Sequence, residues 1–214
     1  MAEPELSRAA AGATKFWEEV GRRNRFSHSV SSIDAALAAR MTPTSWRPGC
    51  PVPLSELRYL KLSYMDFSGA ERTGELVVHR DAVDVAVAMF RLMWEENFPI
   101  ASLRLVDDFG GDDDASMAAN NTSAFNCRYV AGTTRWSNHA TGRAIDINPI
   151  QNPWVSSRGV EPPAGAAFTD RSSVRPGMLV AGSPAVRVAD YVGWGWGGRW
   201  SSSKDYQHLS ASGN

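Results

Sequence analysis

The segment Ala144-Ile-Asp-Ile147 places the tightest constraint on the fold. It reads as a short strand, stopped by Asn148-Pro149. Successive side chains of a strand point to opposite faces, so Ile145 and Ile147 face a core while Asp146 faces the other side. A carboxylate directed into a cleft needs a partner, because an unpaired buried charge is expensive, and a metal ion is one such partner. His139 stands seven residues earlier. On one continuous strand that odd separation would put the two on opposite faces, so they can share an ion only if the chain bends between them. Gly142 tolerates a bend at little steric cost.

A second segment, Ser203-Lys-Asp-Tyr-Gln-His208, carries the same residue types. Asp205 and His208 are three residues apart, which places both on one side of a tight turn. One can bind metal while the other reaches a water on it. His139, Asp146 and His208 offer two nitrogens and one oxygen, a donor set suited to zinc. Catalytic zinc takes three protein ligands, keeps a position open, and draws the pKa of a water there towards about 7. A carboxylate beside it, here Asp205, can take the proton and pass it to a leaving group.

The rest of the chain is read as a frame for these segments. Hydrophobic content of 43% and charged content of 21% are those of an ordinary globular protein, and 214 residues suffice for one domain with an extension. The net charge of -1 shows none of the basic excess that a nucleic-acid surface normally brings. No apolar run is long enough to span a bilayer. Met1 to Val20 lacks a basic region followed by an apolar one, so it is not a signal peptide. Two locations remain open: the cytoplasm, or the cell envelope and extracellular space if a leader has been removed. Leu6 to Arg23 is rich in helix formers, and Ser31 and Asp34 can start a short helix to Met41. Residues 1–40 are expected to be an N-terminal helical extension and residues 41–214 the main domain. Leu57–Tyr64 and Glu75–His79 read as strands around a turn at Phe67–Gly74, and Asp81–Asn97 as an amphipathic helix with Asp81 as its cap. Ser102–Val106 reads as a short strand, Asp107–Asp114 as a solvated acidic loop without calcium-loop spacing, and Gln151–Pro184 as a long surface excursion. Strands and helices without regular alternation indicate an α+β fold. Cys50 and Cys127 are either two buried thiols or one disulfide.

His-x6-Asp with a downstream acid-x-x-His resembles the zinc peptidases of the D-alanyl-D-alanine carboxypeptidase family (peptidase M15). These are related to L-alanyl-D-glutamate endopeptidases and to the metal fold of hedgehog domains. The resemblance also rests on Phe98-Pro-Ile100, on Ser116 to Arg128, on His139 to Pro149 and on Gly193-Trp-Gly-Trp-Gly-Gly198 through His208, so it spans about Ser45 to His208. It implies a small, mainly antiparallel sheet with flanking helices and zinc at the sheet face. It implies zinc ligands at His139, Asp146 and His208 and a general base at Asp205, where many relatives carry Glu. Arg128 would contact the substrate carbonyl or carboxylate, and its planar fork fits that task. Some members place a further His two residues before the base, where this chain has Ser203. The envelope location of the family supports a Cys50–Cys127 bridge.

Trp194, Trp196 and Trp200 cluster before the base, either packing the site wall or forming a platform for a peptide or sugar; Ser137, Trp196 and Trp200 are the candidate substrate contacts. His79, on a strand, is read as structural. The resemblance implies a hydrolase of peptidoglycan peptides, foremost a D,D-carboxypeptidase, and the chain is expected to be a monomer without a nucleic-acid partner. Arg128, Arg135 and Arg143 are candidates for holding a terminal carboxylate. The alternatives are an L-Ala-D-Glu type endopeptidase and a zinc-containing binding module without turnover.

Overall fold

The computed structural model describes residues 26–213. The helical reading of Leu6–Arg23 lies outside them. The described part of the expected helical extension begins instead as a strand. β1 (His28–Ser32) is followed by helix α1 (Ala35–Met41), which Asp34 caps by accepting from the Leu37 amide at 2.8 Å. β1 pairs antiparallel with β2 (Leu57–Met65), so this segment is tied to the main sheet by backbone hydrogen bonds. The residues of β1 are all exposed, which leaves no apolar alternation to reveal the strand in the sequence.

β2 continues through a turn into β3 (Glu71–His79). This strand starts earlier than its apolar pattern indicates. Asp66 accepts from the Ser68 and Ala70 amides and pairs with Arg72 at 2.8 Å, which tightens the turn and lets the ladder run out to Met65 and Glu71. Helix α2 (Val83–Glu95) then crosses the sheet, entered by a 3-10 turn over Arg80–Ala82. Asp81 does not cap it. His79 Nδ1 takes the Asp81 amide at 3.2 Å, and Asp81 faces Arg143 instead. Val85, Ala86, Met89, Phe90 and Met93 are buried as the stripe requires, and so are Val87, Ala88 and Leu92. The second side is covered because the later helix Pro184–Val192 packs on α2.

β4 (Ser102–Leu103) is only a short parallel partner of β5 (Asn121–Thr122). Between them lie a 3-10 helix over Val106–Phe109 and α3 (Asp113–Ala118). The acidic stretch is therefore structured. Asp107 accepts from the Ser45 hydroxyl, Asp108 pairs with Arg40 and Arg104, and Asp112 caps α3. β6 (Ala144–Asp146) follows, then the hairpin β7 (Trp154–Ser156) and β8 (Gly159–Glu161). The expected surface excursion thus contains a hairpin. Arg171 fastens it by donating to the Gln151, Phe168 and Leu179 carbonyls and to Asn152 Oδ1. α4 (Pro184–Val192), β9 (Gly195–Trp196), β10 (Lys204–Asp205) and β11 (His208–Ser210) complete the chain.

The fold is α+β, but its strands form several small sheets. The orders are β1-β2-β3, β6-β11-β9 and β10-β7-β8, all antiparallel, beside the β4-β5 pair. One core joins α2, α4, the β2–β3 face and Ile145, Ile147 and Leu209. A second gathers Met41, Leu57, Val77, Leu105 and Phe125 around Cys127. No helix among the described residues is long and apolar enough to cross a membrane.

Cys50 and Cys127 form a disulfide across a sequence separation of 77, with Cα atoms 5.9 Å apart. It ties the loop before β2 to the residue preceding Arg128. Closing a loop of this length restricts the unfolded chain by about 4.5 kcal/mol in the chain-entropy treatment, of which about 2–4 is commonly realised. The double variant Cys50→Ser, Cys127→Ser is therefore expected to lose about 2–4 kcal/mol in urea unfolding. An unchanged midpoint would show that the bridge adds nothing to stability.

Candidate metal centre and its cleft

His208 and Asp146 are direct cross-strand partners on β11 and β6. His139 reaches the same point from the 3-10 turn Asn138–Thr141, which Ser137 caps by its Oγ accepting from the His139 amide at 3.3 Å. Gly142 closes that turn with φ 69°. A Cβ there would lie 2.6 Å from the His79 backbone nitrogen, and the His79 amide donates to the Gly142 carbonyl at 2.8 Å. The bend that the odd spacing demands is thus made by glycine and clamped by β3.

The three side chains converge. His139 Nε2 is 3.0 Å from Asp146 Oδ2 and 3.2 Å from His208 Nδ1, and His208 Nδ1 is 3.0 Å from Asp146 Oδ1. Two ligands bound tetrahedrally to one zinc at ~2.0–2.1 Å stand roughly 3.3 Å apart, close to this spacing. His139 Nδ1 is 2.6 Å from the Ala124 carbonyl, so it donates there and leaves Nε2 free as a ligand atom. All three residues are buried, and they are the one group of metal-binding type among the described residues.

The electrostatics follow from this crowding. Burial alone would raise the Asp146 pKa, but the charges and hydrogen bonds of His139 and His208 hold it well below the usual carboxylate range. Burial would lower His139, and the Asp146 charge and hydrogen bond outweigh it, so its pKa is raised. Asp205 lies across the turn Tyr206–Gln207 from His208. Burial first, then the charge of Asp146, pushes its carboxyl up to about 7. Asp205 Oδ1 is sealed from solvent without a hydrogen-bond partner. A buried carboxylate oxygen left unsatisfied beside this donor set fits a site that receives a cation and a water.

A cleft of ≈ 320 Å³ opens over these residues. Arg128 lines it and is held by Asp113 at 2.6 Å, a partner that the acidic run of the sequence did not single out. Ser137, Trp200 and Arg135 also line it, and the Trp200 ring stands 5.6 Å from that of His208. Trp196 does not. It is 6% exposed, belongs to the core with Trp194, and its indole donates to the Tyr206 carbonyl at 2.8 Å, bracing the turn between Asp205 and His208. Gly197 lets that backbone come close, since a Cβ there would meet the Asp205 carbonyl at 2.5 Å. Arg143 is also absent from the cleft wall; its guanidinium lies 3.1 Å from both His79 Nε2 and Asp81. Trp136 and the hairpin residues Trp154 and Glu161 line the cleft without having been marked by any motif.

This arrangement can now be compared with known proteins. Residues 131–211 match the family model of the D-alanyl-D-alanine carboxypeptidases. The match bears out the resemblance drawn from the sequence and supports a peptidase. It contains His139, Asp146, Asp205 and His208. It starts after Arg128, and it is shorter than the resemblance traced from about Ser45, so Phe98–Ile100 and Ser116–Arg128 lie outside it. Neither the curated proteins nor the solved structures give a match.

Proposed function

We propose that this protein is a zinc-dependent D-alanyl-D-alanine carboxypeptidase acting on peptidoglycan peptides. The observation that carries this reading is the convergence of His139, Asp146 and His208 within about one zinc coordination shell, inside the segment that matches the family. Zinc held by these three side chains supplies Lewis-acid charge, which makes a water nucleophilic near neutral pH and polarises a carbonyl.

The remaining work falls to the chain itself. Asp205 takes the proton of the attacking water and returns it to the leaving amine. Arg128, oriented by Asp113, presents a planar fork to a substrate carbonyl or carboxylate. Arg135, at the cleft wall, is the second cation available to a terminal carboxylate. Trp200 and Trp136 enclose the site and limit water. The Cys50–Cys127 bridge suits an oxidising compartment, which favours the envelope or extracellular location over the cytoplasm.

Cleavage of an N-acylated peptide ending in D-Ala-D-Ala is the test, followed by mass analysis of the products. Release of the terminal D-Ala, lost with chelator and restored by one equivalent of zinc, is the expected result. Cleavage only within longer stem peptides would move the reading to an endopeptidase. Full zinc loading with every peptide intact would leave a binding module.

A further inference from the structure

The strand carrying Asp205 is the edge strand of a three-stranded sheet. β7 pairs with β10 and β8 pairs with β7, so the hairpin extends the sheet beyond Asp205. The register places Asp205 opposite Trp154 and Trp154 opposite Glu161. Directly opposed residues project from one face of a sheet, and all three of these line the same cleft. Asp205 Oδ1 is sealed, Trp154 is half-buried and Glu161 is exposed, so the row climbs from the floor of the cleft to its rim.

Glu161 has no ion pair and no side-chain hydrogen bond among the described residues. The cation of its own hairpin, Arg158, lies over the Trp154 ring at 5.8 Å from its centroid and leaves the carboxylate free. The other acids of the wall are placed differently. Asp113 is engaged by Arg128, and Asp114 follows it in the first turn of α3. Two strand spacings separate Glu161 from Asp205, about 10 Å, which is roughly three residues of extended peptide.

Resting on the peptidase reading above, we propose that Glu161 is a specificity-determining residue that selects substrates carrying a cationic amine about 10 Å from the hydrolysed bond. The amine is the α-amino group of a short peptide or the ammonium of a lysine-type side chain. Both bring the same charge and donors to the carboxylate.

The experiment uses zinc-loaded full-length protein and peptides ending in Lys-D-Ala-D-Ala in three forms: free only at the α-amine, free only at the lysine amine, and acetylated at both. Relative kcat/KM is measured by chromatography and Kd by calorimetry. One of the two amine peptides is expected to be preferred over the doubly acetylated one by about two- to fivefold, the size of an exposed ion pair, and which one identifies the source. Glu161→Gln abolishes the preference while cleavage of the acetylated peptide persists, Glu161→Arg reverses it towards a glutamate-bearing peptide, and Asp114→Asn leaves it intact. An equal preference in wild type and Glu161→Gln, or none in wild type, overturns the proposal. Should no peptide be cleaved, the peptidase reading fails, and the same comparison made on Kd still decides the role of Glu161.

Discussion

Asp205→Asn is expected to retain zinc and the fold while lowering kcat by about 10²–10⁴-fold. The amide occupies the same space but cannot take a proton. Loss of the base leaves ion and cleft intact, so zinc content by atomic emission should equal that of the wild type. In the wild type, the metal-free Asp205 carboxyl is pushed up to about 7 by burial and by Asp146. The charge of a bound cation favours the carboxylate, so the acidic limb of kcat/KM should fall below pH 7, with activity lost as pH drops through it. The variant should lack that limb. Wild-type turnover from Asp205→Asn would remove this residue from the reaction.

The same substitution should stabilise the metal-free protein near neutral pH. A carboxyl whose folded pKa is raised contributes stability present below its unfolded pKa and lost as pH rises through the folded value. For Asp205 that loss runs from the ordinary carboxylate range up to about 7. Raised His139 contributes stability that is likewise lost as pH rises through its folded pKa. Asp146, held low, acts oppositely, and its contribution vanishes as pH falls through its folded pKa. The metal-free protein should therefore be most stable in weak acid. Thermal melts across pH, with and without chelator, test this.

His139→Ala is the second large effect. It leaves Asp146 and His208 as a two-ligand site and frees the Ala124 carbonyl of its donor. Zinc affinity should drop by several orders of magnitude, because a ligand to a buried ion is lost outright. A wild-type protein with zinc at a thousandfold excess over Kd gains about 4 kcal/mol of stability, and the variant should show no such gain. Melting curves with and without zinc read this directly, independent of any substrate. A zinc-dependent shift of wild-type size in His139→Ala would refute the ligand assignment.

The site was legible because its constraints are local. The parity of Ile145-Asp146-Ile147, the glycine in the odd interval from His139, and the turn linking Asp205 to His208 are short-range geometry, and short-range geometry follows from backbone stereochemistry. The helix at Val83–Glu95 was readable for the same reason, its apolar spacing. What surrounds the site was not. β1 carries no apolar alternation, and its place in the sheet depends on backbone pairing with β2. Asp113 gained its meaning from Arg128 across space. Trp196 and Trp200 sit four residues apart in similar sequence, yet one braces the core and the other walls the cleft.

The sequence by itself determined which side chains can meet a metal, since ligand chemistry and strand parity are properties of the chain. Only the tertiary structure decided what stands around them. The 3.0 Å pairing of His208 with Asp146 is made between strands distant in the chain, and so is the pairing that sets Asp205 opposite Trp154. Such contacts depend on how separate elements pack, and no local pattern encodes them.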